Sequence, residues 1–349
     1  MRAIVYHPGG DSVLELIDRP IPPVGAGEVR VRVIVAGVNP TDLDARRRDR
    51  DVVATTYVPG QDGAGIVDAV GEHVDGIEVG DRVWLWDVAW QRTEGTAQEY
   101  VVVPAIQAVR LPAEVSFDVG ASLGIPALTA HRALTSLAEG PLELSAGALS
   151  GRCVLVAGGA GAVGNAAIQL ARWAGAEVIA TVSDQTKGRL ARAAGAHHVL
   201  NYREVDVPDE VSGIAEHGVD LIVEVNAQAN IAADMAMIGQ HGGISIYTPG
   251  DGTTSIPSIP AMTKNIQVSF ILTYTTTLAQ KHRAVQSVST AVAEGALTVG
   301  DAAGLPITRY TLAETAAILD VPVGTVMSRV SRGRQRLRIA LASMAGEHP

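Results

Sequence analysis

The sequence has a single cysteine, Cys153, among its 349 residues. That excludes an internal disulfide framework and any structural zinc site built on cysteines. Aromatic side chains are scarce at 4% and charged ones make up 18%. No apolar run approaches the ~20 residues of a membrane span, so no transmembrane helix is expected. A basic excess is missing too. The formal net charge of −10 argues against general affinity for nucleic acid, because phosphate contacts need clustered cations. The opening Met1–Tyr6 reads as a strand and not as a signal peptide, so a soluble, cytoplasmic protein is the expectation. What the chain does have is 47% hydrophobic residues and 37 glycines. That is a globular composition with many tight turns, and the length allows two substantial cores.

The most informative stretch begins at Val154 and ends at Gly164. A short apolar run, Cys153 to Ala157, suits a strand buried on both faces. Gly159, Gly161 and Gly164 follow as G-x-G-x-x-G, and a helical pattern (Ala166, Ala167, Leu170, Ala171) runs on to Trp173. In this reading Gly159 permits the tight turn and Gly161 lets backbone approach a pyrophosphate. Gly164 lets helix and strand pack closely, and the helix N-terminus, with Ala162 and Val163, receives the anion. A second strand at Glu177–Val182 completes the context that such a dinucleotide loop requires.

Residues 1–110 read as all-β, with strands at Arg2–Tyr6, Val13–Ile17, Glu28–Ala36, Gly63–Val70, Arg82–Trp86 and Glu99–Pro104, separated by Pro/Gly turns. Asp42–Asp51, dense in Arg and Asp, reads as a solvated helix followed by a loop. From Val119 the pattern turns helical. One helix is expected at 124–133 and a second ending near Gly140. Strands at Val154–Ala157, Val178–Val182, His198–Leu200, Leu221–Val225, Ile244–Thr248 and Val268–Leu272 then alternate with helices at Ala162–Trp173, Lys187–Ala194 and Asn230–Ile238. That alternation predicts a parallel sheet with helices on both faces.

These stretches together resemble the medium-chain dehydrogenase/reductases, and among them the zinc-free quinone reductases similar to zeta-crystallin. The likeness is carried by Ala36-Gly-Val-Asn-Pro40, Pro59-Gly-Gln-Asp-Gly-Ala-Gly65, Val79-Gly-Asp-Arg-Val83 and Gly124-Ile-Pro-Ala-Leu-Thr-Ala130. It continues through the glycine loop, Ala194–Arg203, Gly218–Glu224 and His241-Gly-Gly243. The resemblance implies an α/β fold: a chaperonin-10-like β-rich catalytic domain over 1–125, a Rossmann domain over 126–274, and a return to the catalytic domain over 275–310. It also implies a homodimer joined through the last Rossmann strand.

The family's alcohol dehydrogenases carry zinc ligands where this chain has Asn39 and Gln61-Asp62. Amides are poor ligands and Asp62 alone cannot hold a metal, so no metal is expected. Reduction of an electrophilic quinone or enone then fits better than alcohol oxidation, since it mainly needs positioning and a donor for the developing oxyanion.

At the end of the second Rossmann strand, NAD users place an acid, and here the residue is Val182. By resemblance Ser183, Lys187 and Tyr202 hold the 2′-phosphate of NADPH. Asp184, turned inward, would instead favour NADH. The resemblance further assigns Asn226, Tyr247, Phe270 and Leu272 to the cofactor, and Asn39, Tyr57 and Thr129 to the active site. From the residues alone, Asn39 also reads as a turn residue stabilising its own loop. Thr129 likewise reads as a helix hydroxyl bonded back to a carbonyl. Asp44 stands where relatives often have Tyr, which removes a stacking surface for flat quinones.

The tail, 311–349, departs from the family. Leu312–Arg338 resembles the helix-turn-helix of extracytoplasmic-function sigma factors, with an Arg-rich second helix. No specific operator binding is expected of it, because the rest of the chain is acidic and the motif's preceding helices are missing. Three alternatives to the quinone or enone reductase remain: an enoyl-thioester reductase, a nucleotide-sensing DNA-binding regulator that uses the tail, and an NADPH-binding protein with little activity.

Overall fold

The computed structural model describes residues 1–7, 14–42, 56–248 and 252–300, together with Thr311. The expectations for 43–51, for Asp44 and for the sigma-like tail lie outside the described residues.

The first strands, β1 (Arg2–Val5) and β2 (Glu15–Asp18), pair antiparallel. A five-stranded antiparallel sheet follows, from β3 (Glu28–Ala36), β4 (Gly63–Val70), β5 (Arg82–Leu85), β6 (Tyr100–Pro104) and β7 (Ala108–Arg110), in the order β6-β3-β4-β5-β7. The alternation in β3 sets its register: Val29 and Val31 are fully buried, while Arg30 turns to the other face and pairs with Asp68 at 2.6 Å.

Helices α1 (Phe117–Gly120) and α2 (Gly124–Leu134) lead into the second sheet. There β8 (Cys153–Val156), α3 (Ala162–Trp173), β9 (Glu177–Val182), α4 (Gln185–Ala193), β10 (His198–Asn201), α5 (Val207–Ile214), β11 (Val219–Glu224), α6 (Ala227–Met237), β12 (Ile238–Ile246), α7 (Ser258–Lys264) and β13 (Gln267–Phe270) alternate. The six strands are parallel in the order β10-β9-β8-β11-β12-β13. The order reverses between β8 and β11, which is where doubly wound sheets open a ligand crevice at their carboxyl ends. A 3-10 turn, Thr273–Thr275, and α8 (Leu278–Ala293) bring the chain back against α2.

The α/β expectation therefore holds, with local corrections. No second helix ends near Gly140: α2 stops at Leu134, where the Thr135 hydroxyl bonds back to the His131 carbonyl at 2.9 Å and Pro141 follows close behind. The α6 helix ends at Met237, and β12 begins at Ile238, six residues ahead of the expected Ile244. The reading also missed α5 and α8. Both announce themselves through caps: Asp206 accepts from the Asp209 N–H, and Thr277 and Gln280 form a capping box.

Candidate functional site

The cofactor side is built by the loop from β8 into α3. The positive φ that the turn requires falls on Gly158 (φ +69°), not on Gly159 as the spacing suggested. A Cβ on Gly159 would lie 2.9 Å from Ala180 Cβ and Ile168 Cδ1, so Gly159 is the residue that lets strand and helix close up. A Cβ on Gly164 would come within 2.4 Å of the Gly158 carbonyl oxygen, so Gly164 makes room for the loop itself. Gly161 caps α3 with no side-chain hydrogen bond. Gly161 and Ala162 are exposed and Val163 is half-buried, so the free N–H groups of this helix end face the crevice.

At the end of β9 the polar groups are already organised. Lys187 Nζ donates to Ser183 Oγ at 2.6 Å and lies 3.7 Å from Asp184 Oδ2. The Asp184 carboxylate caps α4, accepting from the Lys187 N–H at 2.8 Å, and that bond is the main cause holding its pKa below the usual range. Tyr202, 52% exposed, follows β10 beside this group, its N–H bonded to the Val182 carbonyl at 3.1 Å.

At the carboxyl end of β11, Glu224 is fully buried. It accepts from the Asn226 N–H and, at 3.0 Å, from Asn230 Nδ2. Asp234 also shares a hydrogen bond with Glu224. Burial, reinforced by the charge of Glu224, pushes Asp234 up to about 8; burial raises Glu224 as well. The same two causes raise the half-buried Tyr247 phenol. The Asn226 side chain remains exposed on the ligand edge of the sheet. Phe270 and Leu272, 67% and 50% exposed, lie at the carboxyl end of β13.

The catalytic side centres on Asn39. Its amide Nδ2 donates to Asp62 Oδ2 at 2.8 Å, and its backbone N–H donates to Asp42 Oδ2 at 2.8 Å. Asp62, only 1% exposed, also accepts from the Ile125 N–H at 3.0 Å in the first turn of α2. One carboxyl thus ties Asn39 to the helix that carries Thr129. Burial pushes both Asp42 and Asp62 up to about 7, against hydrogen bonds that pull the other way. Thr129 Oγ1 bonds Thr273 Oγ1 at 2.6 Å, joining α2 to the 3-10 turn, not to a carbonyl of its own helix.

Tyr57 is not brought together with Asn39 and Thr129. It is 6% exposed, stacks on Tyr6 at 5.7 Å, and belongs to the apolar cluster of Ile4, Val5, Leu14 and Val58.

Sequence reasoning missed three members of this region. From the sequence, Asp62 stands out only as a candidate metal ligand. Trp90 and Tyr274 stack at 4.4 Å with planes 7° apart, and the Tyr274 hydroxyl bonds Thr41 Oγ1 at 3.1 Å. No local pattern links residues so far apart in the chain. The loop bearing Trp90 is anchored by a buried ion pair between Asp87 and Lys281 of α8, with Lys281 Nζ 5.0 Å from the Trp86 ring centroid.

Two family models match: an alcohol dehydrogenase GroES-like domain over residues 25–113 and a zinc-binding dehydrogenase domain over residues 162–290. A quinone oxidoreductase of Sus scrofa is 34% identical over 276 residues, covering 78% of this chain and 80% of that protein. Among solved structures, an NAD-dependent alcohol dehydrogenase is 29% identical with a TM-score of 0.74, covering 85% of this chain and 90% of that one. A mycobacterial protein complexed with NADPH is 27% identical with a TM-score of 0.72, covering 92% of this chain and 96% of that one.

Proposed function

The chain belongs to the medium-chain dehydrogenase/reductase family, as an oxidoreductase of the quinone reductase type, and we propose that it uses NADPH, without zinc, to reduce a quinone or activated enone. The observation that carries the cofactor choice is the Ser183–Asp184–Lys187 group. Asp184 does not project as a ribose acceptor, because its carboxylate is committed to capping α4 and to Lys187. The Ser183 hydroxyl donates to Asp184 Oδ2 at 3.1 Å and accepts from Lys187, so the ammonium, with three hydrogens to donate, is the group that receives a 2′-phosphate, with Tyr202 beside it. The open backbone at Gly161, Ala162 and Val163 suits the pyrophosphate, and Asn226, Tyr247, Phe270 and Leu272 line the route toward the nicotinamide end. NADPH supplies the hydride when bound. Asn39 presents its second amide N–H to the developing oxyanion of the acceptor, and Asp62 holds that amide in orientation.

The donor set does not fit catalytic zinc. Asn39 is an amide that uses a hydrogen to bond Asp62, and the Asp62 carboxylate is already taken by Asn39 and Ile125. Replacing Lys187 with Ala is expected to weaken NADPH binding by about 1.5–3 kcal/mol, the worth of a hydrogen bond to a charged group, and to leave NADH binding nearly unchanged. Calorimetric titration with both cofactors checks this; equal losses for the two would sink the assignment.

The same reading includes a homodimer. The β13 strand lies at the sheet edge, and Ile259 (75%), Met262 (72%) and Phe270 (67%) are unusually exposed for large apolar residues. Among the described residues no strand pairs with the outer side of β13, and an edge with such a patch invites a partner. The unmutated protein should sediment as a dimer and Phe270→Lys as a monomer. A monomeric parent protein would end this part of the reading.

A further inference from the structure

A circuit of seven residues, Asn39, Asp62, Gln61, Ala89, Trp90, Tyr274 and Thr41, runs from the Asn39 amide back to its own loop. Asn39 is held by Asp62, and the neighbouring Gln61 accepts from the Ala89 N–H at 3.2 Å through Oε1 and from the Val88 N–H at 3.0 Å through its carbonyl. Ala89 adjoins Trp90, Trp90 stacks on Tyr274, and the Tyr274 hydroxyl returns to Thr41, two residues after Asn39. Thr273, next to Tyr274, is bonded to Thr129. Tyr274 follows the carboxyl end of β13, so the stacked rings lie on the carboxyl side of the sheet, the side on which doubly wound folds take their ligands.

The rings are held there firmly. Asp87 and Gln91 take up left-handed backbone (φ +50° and +55°) on either side of Trp90, and the Asp87–Lys281 pair fixes the loop to α8. Trp90 and Tyr274 are both half-buried, so part of each side chain remains accessible. The chain has few aromatic residues to place, and two of them meet where Tyr274 bonds Thr41, two residues after Asn39.

We infer that the Trp90–Tyr274 pair is the platform for the acceptor, a binding surface that selects planar, ring-bearing electrophiles over linear ones. A flat ring laid on Trp90 gains offset stacking that a linear enone cannot. The inference deepens the reductase reading and rests on it for turnover, but binding of a planar ring to the platform stands without turnover.

The test compares 1,4-naphthoquinone with trans-3-penten-2-one in the full-length protein and three variants. Trp90→Leu should raise KM, and the calorimetric Kd, for naphthoquinone about tenfold, the scale of a ring-stacking contact, and leave the KM for the linear enone within about twofold. Trp90→Phe, which keeps a ring face, should stay within about threefold for both acceptors. Tyr274→Phe, which keeps the ring and loses the hydroxyl that bonds Thr41, should do likewise. Equal losses for the two acceptors in Trp90→Leu, or none, overturn the platform. Should Trp90→Leu not fold, Tyr274→Leu takes its place with the same expected selectivity. An unmutated protein that binds naphthoquinone but oxidises no NADPH contradicts the reductase reading alone, while a platform without affinity for the quinone fails in the calorimeter whatever the turnover.

Discussion

Lys281→Ala is expected to lower the unfolding free energy by about 3–5 kcal/mol, the cost of stranding one partner of a buried ion pair. The side chains of Lys281 and Asp87 are 7% and 5% exposed, so removing the ammonium leaves the Asp87 carboxylate in a site with little water to replace it. The loss has a functional side as well. Asp87 begins the turn that carries Trp90, so the acceptor side should loosen before the Rossmann sheet does. Changing both partners should undo most of the damage, because a neutral pair carries no stranded charge. Lys281→Met with Asp87→Asn is suitable, since Asn tolerates the positive φ at 87. Denaturant unfolding of the three proteins checks this. A single variant within about 1 kcal/mol of the parent protein would show that the pair contributes little.

The second large effect is the response to pH. Asp42 and Asp62 are each pushed up to about 7 from 3.8, so between those values the fold keeps protons that the unfolded chain has released. The stability these two carboxyls contribute is then greatest below about pH 4, while His131, lowered by burial to about 4, slopes the opposite way below about pH 6.5. The carboxyls' contribution falls as pH rises toward 7 and levels off above that, by up to about 1.4 kcal/mol per pH unit for each carboxyl. The raised Asp234 extends the same trend to about pH 8. Asp62→Asn removes one group's share of the slope while keeping an acceptor for the Ile125 N–H. It should also lower kcat, because an amide fixes the orientation of Asn39 less firmly than a carboxylate. Unfolding curves between pH 4 and 8 decide the matter, and a variant with the parent's slope would show that Asp62 does not titrate in this range.

The parts of this molecule that were legible in the sequence are those whose physics is local. The run into Gly159, Gly161 and Gly164 specified strand, loop and helix, because backbone sterics and helix-end polarity act over a few residues. The group at Ser183 and Lys187 was legible for the same reason, one helical turn being enough to bring the side chains together. The role of each glycine was less so. Whether Gly158 or Gly159 takes the positive φ depends on what packs above it, and here Ala180 and Ile168 claim the space over Gly159. The helix expected to end near Gly140 does not form: α2 stops at Leu134 with Thr135 as its C-cap, and apolar spacing does not reveal where a helix is capped.

The acceptor side was hardest to read. Asn39 is legible as a site residue, but Asp62, which bonds its amide, comes from the loop before β4, and the Trp90–Tyr274 stack joins two parts of the chain that only the completed fold brings together. Tyr57 shows the converse. A residue chosen by resemblance proves to be committed to the core with Tyr6.

The central claim is hydride transfer from NADPH to a planar acceptor without a metal. It is tested most directly by following cofactor absorbance while the unmutated protein, treated with a strong zinc chelator, is mixed with 1,4-naphthoquinone and either NADPH or NADH. The account predicts full activity after chelation and a kcat/KM for NADPH at least about tenfold above that for NADH, the value of one charge-assisted contact. Activity abolished by the chelator and restored by zinc, or a preference for NADH, would contradict it.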